Sequence, residues 1–262
     1  MLSFSANLSL LFTEVEFLER FALASRAGFR AVECQFPYPY RIEALVEQLQ
    51  RHGLPLVLIN LPGGDWSRGD RGIACLPGRA AEFRETVGRG IEYASALGCT
   101  RVNCLAGIAP AGADPVELRE TFVENLRFAA RETNRHGITL VIEPLNSRDV
   151  PGFFVRTSGQ AVEIIHEVGE DNLLLQFDVY HTHIMEGDPV ASLQRHIAHV
   201  AHVQIADDPG RHEPGTGSID FDSVFEALRE ANYGGWVGCE YIPSTTTEKS
   251  LDWLSAYRGA RT

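Results

Sequence analysis

The feature that most constrains this chain is a regular alternation, from end to end, of short apolar runs with longer amphipathic stretches. Eight runs read as strands: Ser3–Asn7, Ala31–Gln35, Leu56–Asn60, Arg101–Leu105, Thr139–Glu143, Leu173–Asp178, His199–Gln204 and Trp236–Glu240. Runs this apolar suit parallel strands covered on both faces. The stretches between them carry helix punctuation. Thr13-Glu14-Val15-Glu16 reads as a capping box, with Gly28 closing that helix. Asp114-Pro115 pairs an N-cap with proline at the first helical position, and Gly137 follows the helix end. Gly53, Gly98, Gly169 and Gly234 are expected to end other helices in the same way, and Thr245-Thr246-Thr247-Glu248 to open the last one. Eight strand–helix units in 262 residues predict an α/β fold with one domain over residues 1-262, a single (β/α)8 TIM barrel. An open doubly wound sheet would want a Gly-rich phosphate turn, and neither GxGxxG nor GxxxxGK follows any run.

Composition removes several function classes. A formal net charge of -12 opposes a nucleic-acid or acidic-membrane partner, since both need a basic face. The five cysteines show no CxxC spacing and read as buried reduced thiols, which predicts a cytoplasmic protein. The opening MLSFSANLSLLF has no basic segment before its apolar stretch, so neither a signal peptide nor a membrane span is expected. The sole lysine, Lys249, sits among Ser and Thr near the C-terminus, which argues against Schiff-base and pyridoxal chemistry.

The C-terminal strand ends of a barrel converge on one mouth. Four consecutive strands here end in oxygen-bearing side chains: Glu143 in VIEP, Asp178 in QFDVYH, Gln204 in HVQIAD and Glu240 in VGCEY. Three carboxylates around one point repel unless a cation joins them. The all-oxygen donor set suits Mg²⁺ or Mn²⁺ better than zinc. After the third strand, residues 61–78 (LPGGDWSRGDRGIACLPG) form a connection too long for a turn, read as a lid over the mouth. Arg71 in that loop and Arg211 after the seventh strand are candidates to meet a substrate carboxylate, because arginine binds one through a two-pronged fork. His202 shares the inward face of Gln204 one layer deeper and reads as a packed core histidine, and His183 as a loop residue.

Several long motifs in order carry a family resemblance over essentially the whole chain: FSANLS, NLPGGDW, RGIACLPGR, IEPLN, DVYH, QIAD, EPGTG and GWVGCEY. The chain resembles the hydroxypyruvate isomerase family of the xylose-isomerase-like barrels, a superfamily that also holds ketose epimerases and endonuclease IV. The resemblance implies a divalent metal on Glu143, Asp178, Gln204 and Glu240, with Glu143 and Glu240 also transferring protons. It implies that His181 contacts substrate, and Asn60, heading NLPGGDW, is a fourth substrate-binding candidate beside Arg71 and Arg211. Related epimerases carry histidine where this chain has Gln204, a departure that points away from them. The expected reaction is a metal-dependent aldose–ketose type isomerisation of a small hydroxy-keto acid, hydroxypyruvate to tartronate semialdehyde. A 2-oxo-tetronate isomerase or ketose 3-epimerase would use the same machinery. An endonuclease IV-like hydrolase would want more histidine ligands and a basic groove. The expected partner is a small sugar acid, with assembly as a homo-oligomer, dimer or tetramer.

Overall fold

In the computed structural model, which describes residues 1–257, each apolar run overlaps a strand. These are β1 (Ser3–Asn7), β2 (Val32–Glu33), β3 (Ile59–Asn60), β4 (Arg101–Asn103), β5 (Thr139–Ile142), β6 (Leu173–Asp178), β7 (Val200–Ile205) and β8 (Trp236–Cys239). All ladders are parallel, in the order β2-β1-β8-β7-β6-β5-β4-β3. The two ends of that order meet. Val32 bridges Leu56, the Val57 N–H donates to Val32 O at 2.9 Å, and the Cys34 N–H donates to Leu58 O at 3.2 Å. Closure leaves no unpaired sheet edge and gathers the strand ends around one axis.

Outside lie α1 (Phe17–Arg26), α2 (Ile42–His52), α3 (Ala80–Leu97), α4 (Pro115–Asn134), α5 (Ser158–Val168), α6 (Val179–Glu186), α7 (Pro189–His196) and α8 (Phe221–Glu230). Each buries a helical stripe against the strands, such as Leu45 and Leu49 of α2 or Val224, Phe225 and Leu228 of α8. Phe4 of β1 meets Phe225 and Trp253 edge-on at 5.6 Å, which fastens the C-terminal segment to the barrel. None of the described helices is long and apolar enough to cross a membrane.

Helix ends follow the sequence at Gly53, Gly98 and Gly169, all left-handed C-caps, and at Asp114, whose carboxylate accepts the Val116 N–H at 2.9 Å. Three readings need correction. The capping box does not form: Glu16 occupies the N-cap of α1 without a side-chain bond. The Glu14 carboxylate instead accepts the Thr247 N–H at 2.6 Å and its hydroxyl at 3.0 Å, a tie to the far end of the chain. Thr247 is thereby buried and also accepts the Phe12 N–H, so the last segment, Lys249–Ala256, is a 3-10 helix with no side-chain cap. Gly234 ends nothing. The chain leaves α8 through Asn232 at φ 53, a left-handed turn that asparagine tolerates.

The segment 61–78 is more structured than an open loop. It contains two 3-10 turns, Trp66–Arg68 and Pro77–Arg79, while Gly72 to Cys75 are buried and bridged to Ala106. Gly72 has φ +99, and a Cβ there would strike the Leu105 backbone, so only glycine fits that crossing. Exposure falls at the tip, residues 65–69, and at Pro77 and Gly78 where the segment leaves for α3.

Candidate active site

Asp178 is the last residue of β6, Gln204 the penultimate residue of β7, and Glu143 and Glu240 stand one past β5 and β8. All four are at most 5% exposed. Asp178 has two separate tasks. Its Oδ1 caps α6, accepting the Tyr180 N–H at 2.8 Å and the His181 N–H at 3.2 Å. Its Oδ2 is buried with no hydrogen-bond partner. Carboxylate oxygens of Glu143 and Asp178 and a ring nitrogen of His181 lie within 4.8 Å of one another. Glu143 accepts the Asn103 amide at 2.8 Å. Glu240 accepts Asn7 (3.1 Å) and Gln35 (2.9 Å) on Oε1, and Arg211 (2.5 Å) on Oε2. The same Arg211 nitrogen is 3.9 Å from Asp178 Oδ2.

Three carboxylates so placed cannot all keep their charge easily. Burial, then Glu240 and Asp178, push Glu143 well above the ordinary carboxylate range, against Arg211 and Asn103. Burial raises Asp178 despite Arg211 and the two N–H donors. Burial raises Glu240 to about 7, opposed by Arg211 and helped by Asp178 and Glu33. An orphaned buried carboxylate oxygen beside mutually repelling oxygens fits a divalent cation, which would satisfy both.

His181 is 2% exposed, and its ring geometry discriminates between roles. Nδ1 receives the Asn146 N–H at 3.1 Å, so the neutral ring carries its proton on Nε2. Burial and Arg211 hold the ring well below the ordinary histidine range, hence neutral. Nε2–H faces Asp178 Oδ2 at 3.8 Å, which makes it a hydrogen-bond donor toward the mouth rather than a free metal ligand.

Gln204 is fixed from both sides. Its Nε2 donates to Glu33 Oε1 at 2.8 Å, and its Oε1 accepts Gln176 Nε2 at 2.6 Å. His202 is fully buried as expected, but it is not merely packed: Nε2 lies 2.9 Å from Glu33 Oε2. Burial opposes the charge of Glu33, yet His202, Gln204 and Ser5 together hold it below the ordinary range. Asn60 is buried at the end of β3, paired in register with Asn103. Arg71 is not drawn into the carboxylate cluster among the described residues. It lies over the Trp66 ring at 4.1 Å and donates to Asp70 O at 2.7 Å within its own loop, whose Trp66 packs on Phe36 beside Gln35.

Arg211 reaches the cluster from the loop after β7, and one residue organises that loop. The Asp207 carboxylate, fully buried, accepts four backbone N–H groups: Asp208 (2.9 Å), Gly215 (2.9 Å), Gly217 (2.8 Å) and Ile219 (3.1 Å). A Cβ at Gly217 would collide with Asp207 and with the Asp208 backbone. Arg211 itself sits at φ 56, with its carbonyl held by the Ile242 N–H at 2.8 Å. Its side chain is 24% exposed, the most open of the cluster's charged groups.

Sequence reasoning overlooked Asn7, Glu33, Gln35, Asn103 and Asp207. A signal existed: Ser5/Asn7 and Glu33/Gln35 repeat at the two-residue period of one strand face, within otherwise apolar runs. Together the site offers two glutamates raised above the ordinary carboxylate range, a neutral N–H donor, an arginine and oxygens able to hold a divalent cation. Such a set can move protons on a small anionic substrate.

Comparison with known proteins places the chain in a family. The family model described as "Xylose isomerase-like TIM barrel" matches residues 21–257. Hydroxypyruvate isomerase of Escherichia coli is 49% identical over 98% of this chain and 100% of its own length. The 2-oxo-tetronate isomerase of Cupriavidus necator is 46% identical over 98% of both chains. A crystal structure described as AP endonuclease, family 2, from Brucella melitensis superposes with a TM-score of 0.96 at 44% identity, covering 98% of this chain and 100% of that one. This chain therefore belongs to the hydroxypyruvate isomerase family of xylose isomerase-like TIM barrels and is an isomerase.

Proposed function

We propose that this enzyme shifts a carbonyl between adjacent carbons of a small hydroxy-keto acid, with hydroxypyruvate and tartronate semialdehyde as the pair. The observation that carries the reading is the Glu143–Glu240 pair, two buried carboxylates pushed toward neutrality in one mouth. Two buried carboxylates opening on one mouth can take a proton from a small substrate and give one back. One glutamate removes the proton from the C3 carbon of hydroxypyruvate, leaving an enediolate. The other delivers a proton to C2, while the hydroxyl proton passes from O3 to O2, so atoms and charge balance. Glu143, Asp178, Gln204 and Glu240 hold Mg²⁺ or Mn²⁺, with Asp178 Oδ2 as the oxygen free of other duties. When bound, the cation supplies positive charge next to the substrate oxygens. His181 Nε2–H donates to a substrate oxygen, and Arg211 meets the carboxylate, with Asn60 and Arg71 completing the pocket under the 61–78 segment as a lid. Five buried thiols without a disulfide suit a cytoplasmic enzyme.

A four-carbon 2-oxo-tetronate is the second substrate reading, favoured by the near-equal identity to the relative of that name. The name of the Brucella melitensis chain raises phosphodiester cleavage, but a net charge of -12 and, among the described residues, one histidine grouped with Glu143 and Asp178 are poor equipment for it. The test is an NMR screen of three- and four-carbon hydroxy-keto acids and an abasic-site duplex, with Mg²⁺ or Mn²⁺ present. Isomerised keto acid with intact duplex is the expected result. Cleaved duplex with unchanged keto acids would overturn the proposal.

A further inference from the structure

Beneath the mouth lies an ionisable group that the proposed chemistry leaves unused. Glu33, at the end of β2, is fully buried and receives four partners, two on each oxygen. Asn7 (3.1 Å) and Gln204 (2.8 Å) donate to Oε1, while Ser5 (2.8 Å) and His202 (2.9 Å) meet Oε2. The barrel makes room for it. A methyl added at Gly238 of β8 would collide with both Glu33 carboxylate oxygens. A buried carboxylate is costly unless its surroundings repay it, and here β1 and β7 each supply two partners to one anion that touches no solvent.

What Glu33 does follows from the asymmetry of an amide. A carboxylate accepts hydrogen bonds and cannot donate them. Gln204 must therefore present Nε2 to Glu33. The reverse orientation would press its carbonyl oxygen against a carboxylate and its NH₂ against the Gln176 NH₂, which now donates to it at 2.6 Å. Glu33 thus decides which atom of Gln204 is available as a neutral oxygen donor. The same Glu33 oxygen holds Asn7 Nδ2, which also donates to Glu240 Oε1 at 3.1 Å, so a second arm reaches a proposed acid/base group.

We propose that Glu33 is a positioning residue for the metal site: it fixes the sense of the Gln204 amide, and through Asn7 the Glu240 carboxylate, so that oxygens meet the cation. This rests on the reading of Gln204 as a ligand. Partners that orient metal ligands from behind typically contribute about 10–100-fold to affinity.

The test is the Mn²⁺ dissociation constant of the full-length chain, measured by calorimetry and by the electron paramagnetic resonance of bound Mn²⁺. Three variants are compared: Glu33→Gln, Gln204→Leu and the exchanged pair Glu33→Gln/Gln204→Glu. Glu33→Gln is expected to weaken Mn²⁺ at least about tenfold. The exchanged pair keeps one carboxylate and one amide in contact with their roles reversed. It is expected to restore affinity to within about threefold of wild type, a rescue that a generally damaged core would not show. Should Glu33→Gln alone not fold, the exchanged pair decides: a folded, Mn²⁺-binding protein supports the inference, and an unfolded or non-binding one overturns it. Wild-type affinity in Glu33→Gln, with weakened binding in Gln204→Leu, would also overturn it. Unchanged affinity in Gln204→Leu would instead remove Gln204 from the ligand set, and this inference with it.

Discussion

Proton competition at the mouth is open to direct measurement. Glu240 is raised to about 7 by burial and by neighbouring carboxylates, and Glu143 is pushed well above its ordinary value by the same causes. A cation that takes these oxygens as ligands must displace whatever protons they hold. With Glu240 titrating near 7, about nine-tenths of it is protonated at pH 6 and about one-tenth at pH 8. Loading Mn²⁺ at pH 6 should therefore release about 0.9 proton from Glu240 alone, with a further contribution from Glu143. The apparent affinity should fall at least about tenfold between pH 8 and pH 6. The sign is fixed by the direction of the shift: raised acids hold protons that metal must expel, so acid weakens binding. Titration calorimetry at each pH, in two buffers of different ionisation enthalpy, counts the protons released. No release at pH 6 together with constant affinity across pH 6–8 would show that Glu143 and Glu240 are ionised without metal, and the electrostatic reasoning would fail.

Two further outcomes are expected. Arg211→Met should raise KM for hydroxy-keto acids by roughly 10–100-fold, the worth of a charge-assisted hydrogen bond, while leaving a neutral ketose little affected. A KM within twofold of wild type for the acids would remove Arg211 from carboxylate recognition. Asp207→Ala leaves four backbone N–H groups without their acceptor, so chemical denaturation should show a loss of about 3 kcal/mol or more. A loss below about 1 kcal/mol would mean that the loop carrying Arg211 has other supports.

The barrel was legible because parallel strands are buried on both faces and so stand out as apolar runs. The ends of β1 and β6 match the sequence reading residue for residue. β2 and β3 shrink to two residues each, since they meet where the barrel closes and share only an isolated bridge. Local signals failed where distant groups outcompeted them. Glu14 and Thr247 each lie inside a four-residue helix-start signal, and they bind one another across 233 positions instead. The four strand-end oxygens were legible in the second half of the chain, where each closes an apolar run. Glu33, Asn7 and Asn103 were passed over, because polar residues on one face of an apolar run read as interruptions until the register shows what they face. Resemblance alone led to the expectation that His181 meets substrate, and the proton on its Nε2 could be placed only from the Asn146 contact.

If Glu143 and Glu240 are the acid/base pair, one removes a proton from a carbon of the hydroxy-keto acid and the other delivers a proton to its neighbour. Incubating Mg²⁺- or Mn²⁺-loaded enzyme with hydroxypyruvate in D₂O and following carbon-bound deuterium by NMR tests it most directly. Deuterium on carbon is expected with wild type. A loss of about 10²–10⁴-fold is expected in Glu143→Gln and in Glu240→Gln, both still folded by circular dichroism. No exchange in the loaded wild type, or more than about a tenth of wild-type exchange in either variant, would contradict it.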